Sequence, residues 1–372
     1  MKLPRFGVEE WLNVHEKSAS LDLASVSIAS LYVEELLQLA QVEPVDFWQD
    51  LAKTKLDYGW IEGSPDFKEA VASLYGHQTP ANILQTNGAT GANMLALYSL
   101  IEPGDHVIVL YPTYQQLYDI PKSFGAEVEF WTIQEHQNWL PSLDDLRELM
   151  RPNTKMICIN NANNPTGAVM DRAYLEELVA IASQSGAYIL SDEVYKSFSP
   201  ELDVPAICDL YDKGISVNSL SKTYSLPGIR VGWVATSQAI TDILRDYRDY
   251  TMICAGVFDD KVATLALKHR QAILERNAKI VQTNLRILED WVAIEDQVSL
   301  ISPAQVSTAF VKLKVSVPIE EFCLALLKET GVLLVPGNRF DIEGHVRLGY
   351  ACPTATLQAG LAKLSEFLKS YN

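Results

Sequence analysis

The chain has 372 residues, of which 48% are apolar, and a formal net charge of -17 at neutral pH. Its length and apolar content allow a substantial core and suggest two domains, while the acidic balance argues against a nucleic-acid partner, which needs a basic surface. Five scattered cysteines without CxxC spacing favour a reducing cytoplasm over a metal site or disulfides, and neither a signal peptide nor a membrane helix is predicted.

The first notable segment is Tyr58-Gly59-Trp60, which stands between a charged stretch and Gly63. This pattern predicts a surface loop. A tyrosine there is either an aromatic at the solvent edge or a residue that reaches a partner chain.

The next predicted element is a strand, Leu84 to Asn87, that runs through Gly88, Ala89 and Thr90 into a helical pattern. Small residues at such a turn let backbone N–H groups and the helix N-terminus face an anion. The turn lacks the signatures of a P-loop and of a dinucleotide site. It therefore predicts a phosphate contact of another kind.

Two further predicted strands end near candidate ligand-binding side chains. Tyr114 follows the strand His106 to Tyr111, and Asn164 follows the strand Met156 to Asn160. Tyr114 either stacks on a ligand or belongs to the core, and Asn-Pro-Thr-Gly at Asn164 is equally ordinary turn chemistry. Both positions are candidates because ligands of open α/β sheets bind beyond the carboxyl ends of strands.

Another apolar strand begins at Ala187 and ends at Asp192, and Tyr195 follows it. By the same rule, Asp192 falls where ligands of open sheets bind. The alternatives are a helix N-cap for Asp192 and a packed aromatic for Tyr195.

The most informative segment surrounds Lys222, just after the apolar run Ile215 to Leu220. A lysine that is shielded from water and close to positive charge can lose its proton and attack a carbonyl. Arg230, after a Pro-Gly turn, can hold a phosphate with Ser219 and Ser221. A carbonyl-reactive lysine beside a phosphate anchor is what pyridoxal 5′-phosphate (PLP) requires.

The other candidates supply the remaining needs of PLP. Asp192 would keep the pyridine nitrogen protonated, so that the ring acts as an electron sink. Tyr195 and Asn164 would donate to the ring oxygen, the turn at Gly88 would hold the phosphate, and Tyr114 would stack on the ring. Each signal alone is weak, but together they predict a PLP site.

Alternating strand and helix patterns from Ala81 to Thr236 indicate an α/β fold with a mostly parallel sheet between helices. Beyond them, Asp259 to Val292 is predicted as one long helical stretch. The strands Ser307–Val315, Gly331–Val335 and His345–Tyr350, with helices between them, suit a smaller α+β domain.

In the order and spacing of these motifs, the chain resembles class I/II PLP-dependent aminotransferases of fold type I, the aspartate aminotransferase superfamily, over nearly its whole length. The resemblance implies a large domain with a mostly parallel mixed sheet and a smaller α+β domain. It places an N-terminal arm and part of the small domain at residues 1–46, the PLP-binding domain at 47–258, and a long connecting helix and small C-terminal domain at 259–372.

The resemblance also implies residue roles. Lys222 corresponds to the Schiff-base lysine, Arg347 with Asn164 to the site of the substrate α-carboxylate, and Tyr58 to a tyrosine that reaches the partner subunit's phosphate. The implied cofactor-binding residues are Gly88, Ala89, Thr90, Tyr114, Asn164, Asp192, Tyr195, Ser219, Ser221, Arg230 and Tyr58. A Gly-x-Pro element common near the family's N-terminus is missing from Leu21–Ser27, so a different entrance is expected.

The predicted function is therefore transfer of an amino group from an L-amino acid to a 2-oxo acid, by a cytoplasmic homodimer with shared active sites. A PLP-dependent C–S β-lyase or amino-acid cyclase would use the same residues and remains the alternative. The stretches Leu226–Trp233, Arg248–Thr251 and Gly331–Gly337 are similar to a branch that includes capreomycidine-synthase-like enzymes, which cyclise a hydroxylated arginine. The identity of the substrate side chain is left open.

Overall fold

The fold is built on three β-sheets with helices packed around them, over residues 2–371, which the computed structural model describes. The strands are β1 (Leu21–Asp22), β2 (Ile83–Asn87), β3 (His106–Tyr111), β4 (Glu127–Thr132), β5 (Thr154–Asn160), β6 (Tyr188–Asp192), β7 (Gly214–Ser219), β8 (Val231–Thr236), β9 (Val298–Leu300), β10 (Ala309–Leu313), β11 (Val332–Leu333), β12 (Val335–Pro336) and β13 (His345–Leu348). The helices are α1 (Gly7–His15), α2 (Val33–Leu39), α3 (Pro44–Ala52), α4 (Pro65–Ala72), α5 (Gly88–Leu100), α6 (Gln116–Phe124), α7 (Leu143–Leu149), α8 (Arg172–Ser185), α9 (Ile207–Leu210), α10 (Gln238–Arg248), α11 (Val257–Lys268), α12 (Arg270–Ile294), α13 (Ile319–Thr330) and α14 (Thr354–Leu368).

The largest sheet has seven strands in the order β2-β8-β7-β6-β5-β3-β4. Strands β7, β6, β5, β3 and β4 are parallel, whereas β8 is antiparallel to both β2 and β7. The predicted mostly parallel sheet between helices is therefore confirmed, with one reversed strand. Because the parallel strands all point the same way, their carboxyl ends form a single edge.

Strand β3 shows why this sheet is covered on both faces. Its alternate side chains point to opposite sides, so Val107 and Val109 pack in the core that contains α5, and Ile108 and Leu110 pack in the core under α8. All four side chains are fully buried. Such continuous apolar strands are typical of parallel sheets between helix layers.

The C-terminal part forms an antiparallel sheet in the order β12-β13-β10-β9. The N-terminal segment joins this region, because β1 pairs in parallel with β11 and the Trp11 indole of α1 donates to the Leu334 carbonyl at 2.9 Å. The beginning and the end of the chain therefore pack together beside the large sheet.

The long helical stretch predicted over Asp259–Val292 was wrong in one respect, because it is two helices. Helix α11 ends at Lys268 and α12 begins at Arg270. Between them, His269 leaves the helical conformation with φ -108° and ψ 21°. The apolar pattern continues through His269, so it gives no sign of the break.

Candidate active site

The carboxyl ends of neighbouring parallel strands meet at a cavity of about 860 Å³. In the strand register, Asn160 of β5 pairs with Asp192 of β6, which in turn pairs with Val217 of β7. The predicted site residues that line the cavity are Ala89, Thr90, Tyr114, Asn164, Asp192, Tyr195, Ser219, Ser221, Lys222, Arg230 and Arg347. The fold thus brings together side chains from widely separated parts of the chain.

Lys222 follows β7, and its partly buried side chain lines the cavity. Burial, followed by the positive charge of Arg347, lowers the pKa of Lys222 to about 8. A lysine with this pKa is deprotonated in a useful fraction of molecules near neutral pH. It can therefore act as a nucleophile or a base.

Asp192 is a buried carboxylate, 3% exposed, at the end of β6. Asn93 Nδ2 donates to its Oδ2 at 2.8 Å, and the Val194 N–H donates to its Oδ1 at 3.3 Å. Burial raises the pKa of Asp192 to about 6, and these two hydrogen bonds act in the opposite direction. The group is therefore mostly ionised at neutral pH and can hold a protonated nitrogen.

The predicted phosphate grip is a small polar space beside α5. Arg230 Nη1 donates to Ser221 Oγ at 3.3 Å and to the Pro227 carbonyl at 2.9 Å, and Ser219 Oγ accepts from the Ser221 N–H at 3.3 Å. Gly88, with φ +66°, lies against the same guanidinium: a Cβ there would stand 2.6 Å from Arg230 Nη2. The guanidinium and the N-terminus of α5 thus share one space suited to a dianion.

Arg347 of β13 is 3% exposed and also lines the cavity. Its Nη1 donates to Asn164 Oδ1 at 3.2 Å and its Nη2 to the Ala24 carbonyl at 3.0 Å, while Nε has no hydrogen-bond partner. Among residues 2–371 it has no carboxylate within ion-pair distance, and burial lowers its pKa. A buried guanidinium without a counterion is suited to receive an anion such as a carboxylate.

Two tyrosines complete the lining. Tyr195 is 6% exposed, and within the described chain its hydroxyl has no hydrogen-bond partner. Tyr114 packs against Phe6 with ring centroids 5.0 Å apart, and burial raises its pKa to about 12. Burial raises the pKa of Tyr195 as well, so both phenols remain protonated at neutral pH and can donate hydrogen bonds.

The sequence patterns did not predict the contribution of α1. This helix places Val8 and Glu9 in the lining, beside Phe6, and Trp11 is buried against the C-terminal region. The Glu9 charge opposes the lowering of the Lys222 and Arg347 pKa values by burial, so the carboxylate is electrostatically part of the site. Asn93 was missed as well, although its place one turn after Thr90 on a helix that starts at the site was an available signal.

Tyr58 and Gly88 are the predicted site residues outside the lining. Gly88 contributes through its contact with Arg230, but Tyr58 is 82% exposed. Tyr58 belongs instead to a second cavity of about 1050 Å³, together with Trp60 and Ile61. The surface loop predicted around Tyr58 is confirmed, whereas its role stays a prediction.

Residues 2–371 contain no group of three or more histidine, cysteine, aspartate or glutamate side chains placed to hold a metal ion. Within the same range, every helix is too short or too polar to cross a bilayer.

Comparison with known proteins gives consistent matches over most or all of the chain. The family model described as aminotransferase class I and II matches residues 33–364. Capreomycidine synthase from Streptomyces vinaceus is 30% identical, over 99% of this chain and 95% of that protein. Aspartate aminotransferase from Thermotoga maritima is 30% identical, over 86% of this chain and 85% of that protein. A crystal structure of a PLP-dependent aminotransferase from Streptococcus suis is 70% identical with a TM-score of 0.98, covering 100% of this chain and 99% of that one.

Proposed function

Because the chain belongs to the class I and II aminotransferase family, we propose that it binds PLP and transfers the amino group of an L-amino acid to a 2-oxo acid. The observation that carries this proposal is the composition of one cavity. It holds a lysine amine with a lowered pKa, a buried carboxylate and a buried guanidinium without a counterion. PLP and an α-amino acid together offer the complementary groups: an aldehyde for the lysine, a ring nitrogen for the carboxylate and an α-carboxylate for the guanidinium.

Two features support the fit of PLP to these residues. The Arg230 guanidinium lies directly against Gly88, an approach that a Cβ at Gly88 would block, so a cation and the N–H groups at the start of α5 together form a phosphate cradle. Tyr195 lines the cavity, and its hydroxyl has no hydrogen-bond partner among the described residues, which supports a ring-oxygen contact there. In this proposal Asp192 holds the proton on the ring nitrogen, and Asn164 and Tyr114 contact the ring.

When bound, PLP supplies an aldehyde for covalent attachment and an electron sink for charge at the substrate α-carbon. Lys222 is the proposed attachment residue, and its freed Nζ removes the α-proton and later returns it, as general base and then acid. Arg347 grips the α-carboxylate through its guanidinium and so fixes which α-bond faces Lys222. Val8 and Glu9 of α1 belong to the lining, so this helix takes up space at the cavity that water would otherwise fill.

A second candidate is a PLP-dependent cyclase or β-lyase, which would use the same residues. Capreomycidine synthase matches 99% of this chain, and this match favours the cyclase. Products separate the candidates: transamination yields a 2-oxo acid and needs an amino acceptor for turnover. A cyclase or lyase would turn over without an acceptor.

We also propose that two copies form a homodimer with shared sites, in the cytoplasm. Large apolar side chains are exposed around the second cavity, at Trp48, Tyr58, Trp60 and Ile61. A patch of this kind indicates a protein interface, and a second copy covering it would carry Tyr58 towards a neighbouring site. All five cysteines are free, which fits a reducing compartment.

Borohydride reduction tests the site. We expect the reduced holoprotein to carry a pyridoxyl group on the peptide that contains Lys222, and we expect no label in Lys222→Ala. Lys213→Ala is the matched control, because Lys213 lies away from the cavity lining and bonds the Gly186 carbonyl. A label on another lysine, or a purified protein that never binds PLP, would contradict the proposal.

A further inference from the structure

The charged side chains of the cavity fall into two groups, those that already have a partner and those that do not. The cations of the lining are Lys222, Arg230, Arg339 and Arg347, and the carboxylates are Glu9, Glu16, Asp22, Asp119 and Asp192. In the proposed function, PLP and the substrate α-carboxylate occupy three of the cations and Asp192. The charged groups that remain for a substrate side chain are Arg339, Glu9, Glu16, Asp22 and Asp119.

The fourth cation, Arg339, is already paired. Its Nη2 lies 2.6 Å from Glu320 Oε1, its Nη1 lies 3.6 Å from Glu10 Oε2, and its guanidinium stacks 5.5 Å from the Trp11 ring centre. An acidic substrate side chain would have to compete with these carboxylates. Arg339 Nε has no hydrogen-bond partner, but the charge of the guanidinium is balanced by these two carboxylates, so within residues 2–371 the lining offers no cation without a counterion to such a side chain.

Two of the remaining carboxylates are satisfied locally. Asp22 Oδ1 accepts the Ala24 and Ser25 N–H groups at 2.8 and 3.1 Å, and Asp119 Oδ2 accepts from Gln115 Nε2 at 2.6 Å. These contacts explain the positions of both side chains without a ligand.

Glu9 is different, because its partly buried carboxylate has neither a hydrogen bond nor an ion pair to any described residue. It is nevertheless close enough to Lys222 and Arg347 for its charge to affect both groups. Arg347 is 3% exposed, lines the same cavity, and has an Nε without a partner, which independently indicates that the cavity receives a ligand. Exposed Glu16 adds a second negative charge to the lining.

We propose that the substrate carries a positively charged side chain, an ammonium or a guanidinium, and that Glu9 is its counterion. This inference rests on the proposed function and specifies its substrate class. Once Arg347 holds the α-carboxylate, a cationic side chain is the one that meets an unpaired negative group. Helix α1, which carries Glu9, then takes part in selecting the substrate.

The test compares L-arginine with L-citrulline, which has nearly the same shape but no charge. Holoprotein is mixed with each amino acid, and with L-ornithine, L-norleucine and L-aspartate, while the absorbance of the bound cofactor is followed. Affinities are measured separately by calorimetry on the Lys222→Ala holoprotein, which gives a readout that does not depend on turnover. We expect arginine or ornithine to bind and react at least about 10-fold better than the neutral and acidic compounds, because a charged hydrogen-bonded contact is worth that much.

Glu9→Gln should reduce the affinity for the cationic amino acid roughly 10- to 100-fold and leave that for citrulline nearly unchanged. Glu69→Gln is the control: it removes the same charge from an exposed position of α4 outside the lining, and should preserve the preference. PLP affinity and melting temperature show that the variants are folded.

A reaction with neutral or acidic amino acids but not with cationic ones would overturn this inference and leave the proposed function standing. An unchanged preference in Glu9→Gln would also overturn the role of Glu9. A spectrum that no amino acid alters would contradict the proposed function itself. A spectral change with a cationic amino acid but without an oxo-acid product would support this inference and favour the cyclase or lyase.

Discussion

At the scale of single residues, the chemistry of the site depends on how buried charges are compensated. Asp192 is nearly inaccessible to water, and its pKa is raised to about 6 because burial outweighs the hydrogen bonds from Asn93 and Val194. Without those bonds the carboxylate would become neutral closer to physiological pH. Asn93, fully buried itself, is therefore a positioning residue that keeps Asp192 charged.

This relation predicts a pH dependence of cofactor affinity. The folded-state pKa of Asp192 lies above its usual value, so the negative charge is present above about pH 6 and is lost as the pH falls through that value. The affinity of the apoprotein for PLP should decrease over the same range. Asn93→Leu should move this decrease upward by about one pH unit, because a hydrogen bond to the charged form is lost. Titrations with PLP at a series of pH values measure both profiles.

The difference between the pH profiles of the native protein and Asn93→Leu reports on Asp192, because Lys222 is the same in both proteins. Ser99→Ala is the control on α5, since Ser99 bonds only the Leu95 carbonyl of its own helix, and its profile should match that of the native protein. Superimposable profiles for native protein and folded Asn93→Leu would show that Asn93 does not sustain the charge of Asp192.

At the scale of elements, the phosphate cradle depends on how closely β8 approaches the first turn of α5. Gly232 of β8 lies against the backbone of that turn: a Cβ there would be 2.7 Å from the Ala89 nitrogen and 2.8 Å from the Asn218 carbonyl oxygen. Both neighbours are main-chain atoms, which cannot turn aside as a flexible side chain can. A glycine at this point of the strand is therefore required by packing.

Gly232→Ala should displace the start of α5 from Arg230. We expect a loss of stability of about 1–3 kcal/mol, as for other overpacked sites, together with weaker PLP binding. Chemical denaturation and PLP titration measure the two effects. Gly228→Ala is the matched control, because a Cβ at Gly228 would meet nothing within 4 Å, and it should be nearly neutral. Equal effects of the two substitutions would contradict the close approach of β8 to α5.

At the scale of the whole molecule, Tyr58 lies outside the cavity of its own chain. Its predicted phosphate contact would therefore have to be made in another copy. Exposed apolar residues surround Tyr58, including Trp60 at 63% and Ile61 at 58% exposure. A monomer in water gains nothing from such a surface. The proposed dimer gives this surface a function, since a closed twofold interface places the same loop of each copy against its partner.

Mixed dimers provide the prediction at this scale. Tyr58→Phe and Lys222→Ala, each impaired alone, should regain activity when coexpressed. A mixed dimer has one site with native Tyr58 and native Lys222, so about half the native activity per mixed dimer is expected. Differently tagged chains allow the mixed species to be purified and assayed. Monomers in sedimentation, or inactive mixed dimers built from an impaired Tyr58→Phe, would contradict the shared site.

The sequence by itself determined the α/β fold, the strand ends and the chemical types at the site. Apolar runs ending at Asp192 and before Lys222 are local signals, and the rule that parallel strands end at one edge converts them into a common site. The identities of Arg230, Ser219 and Ser221 likewise indicated a phosphate-binding site. The domain limits at residues 46 and 258 stay a prediction.

Tertiary structure decided what depends on contacts between distant segments. Asn93 and Glu9 lie 99 and 213 residues from the groups they influence, Asp192 and Lys222, so no local pattern links them. The pKa values of those two groups likewise come from burial, which only packing creates. The break at His269 and the close approach of Gly232 to α5 have the same origin: spacing along the chain describes each element, and only the folded chain determines which elements meet.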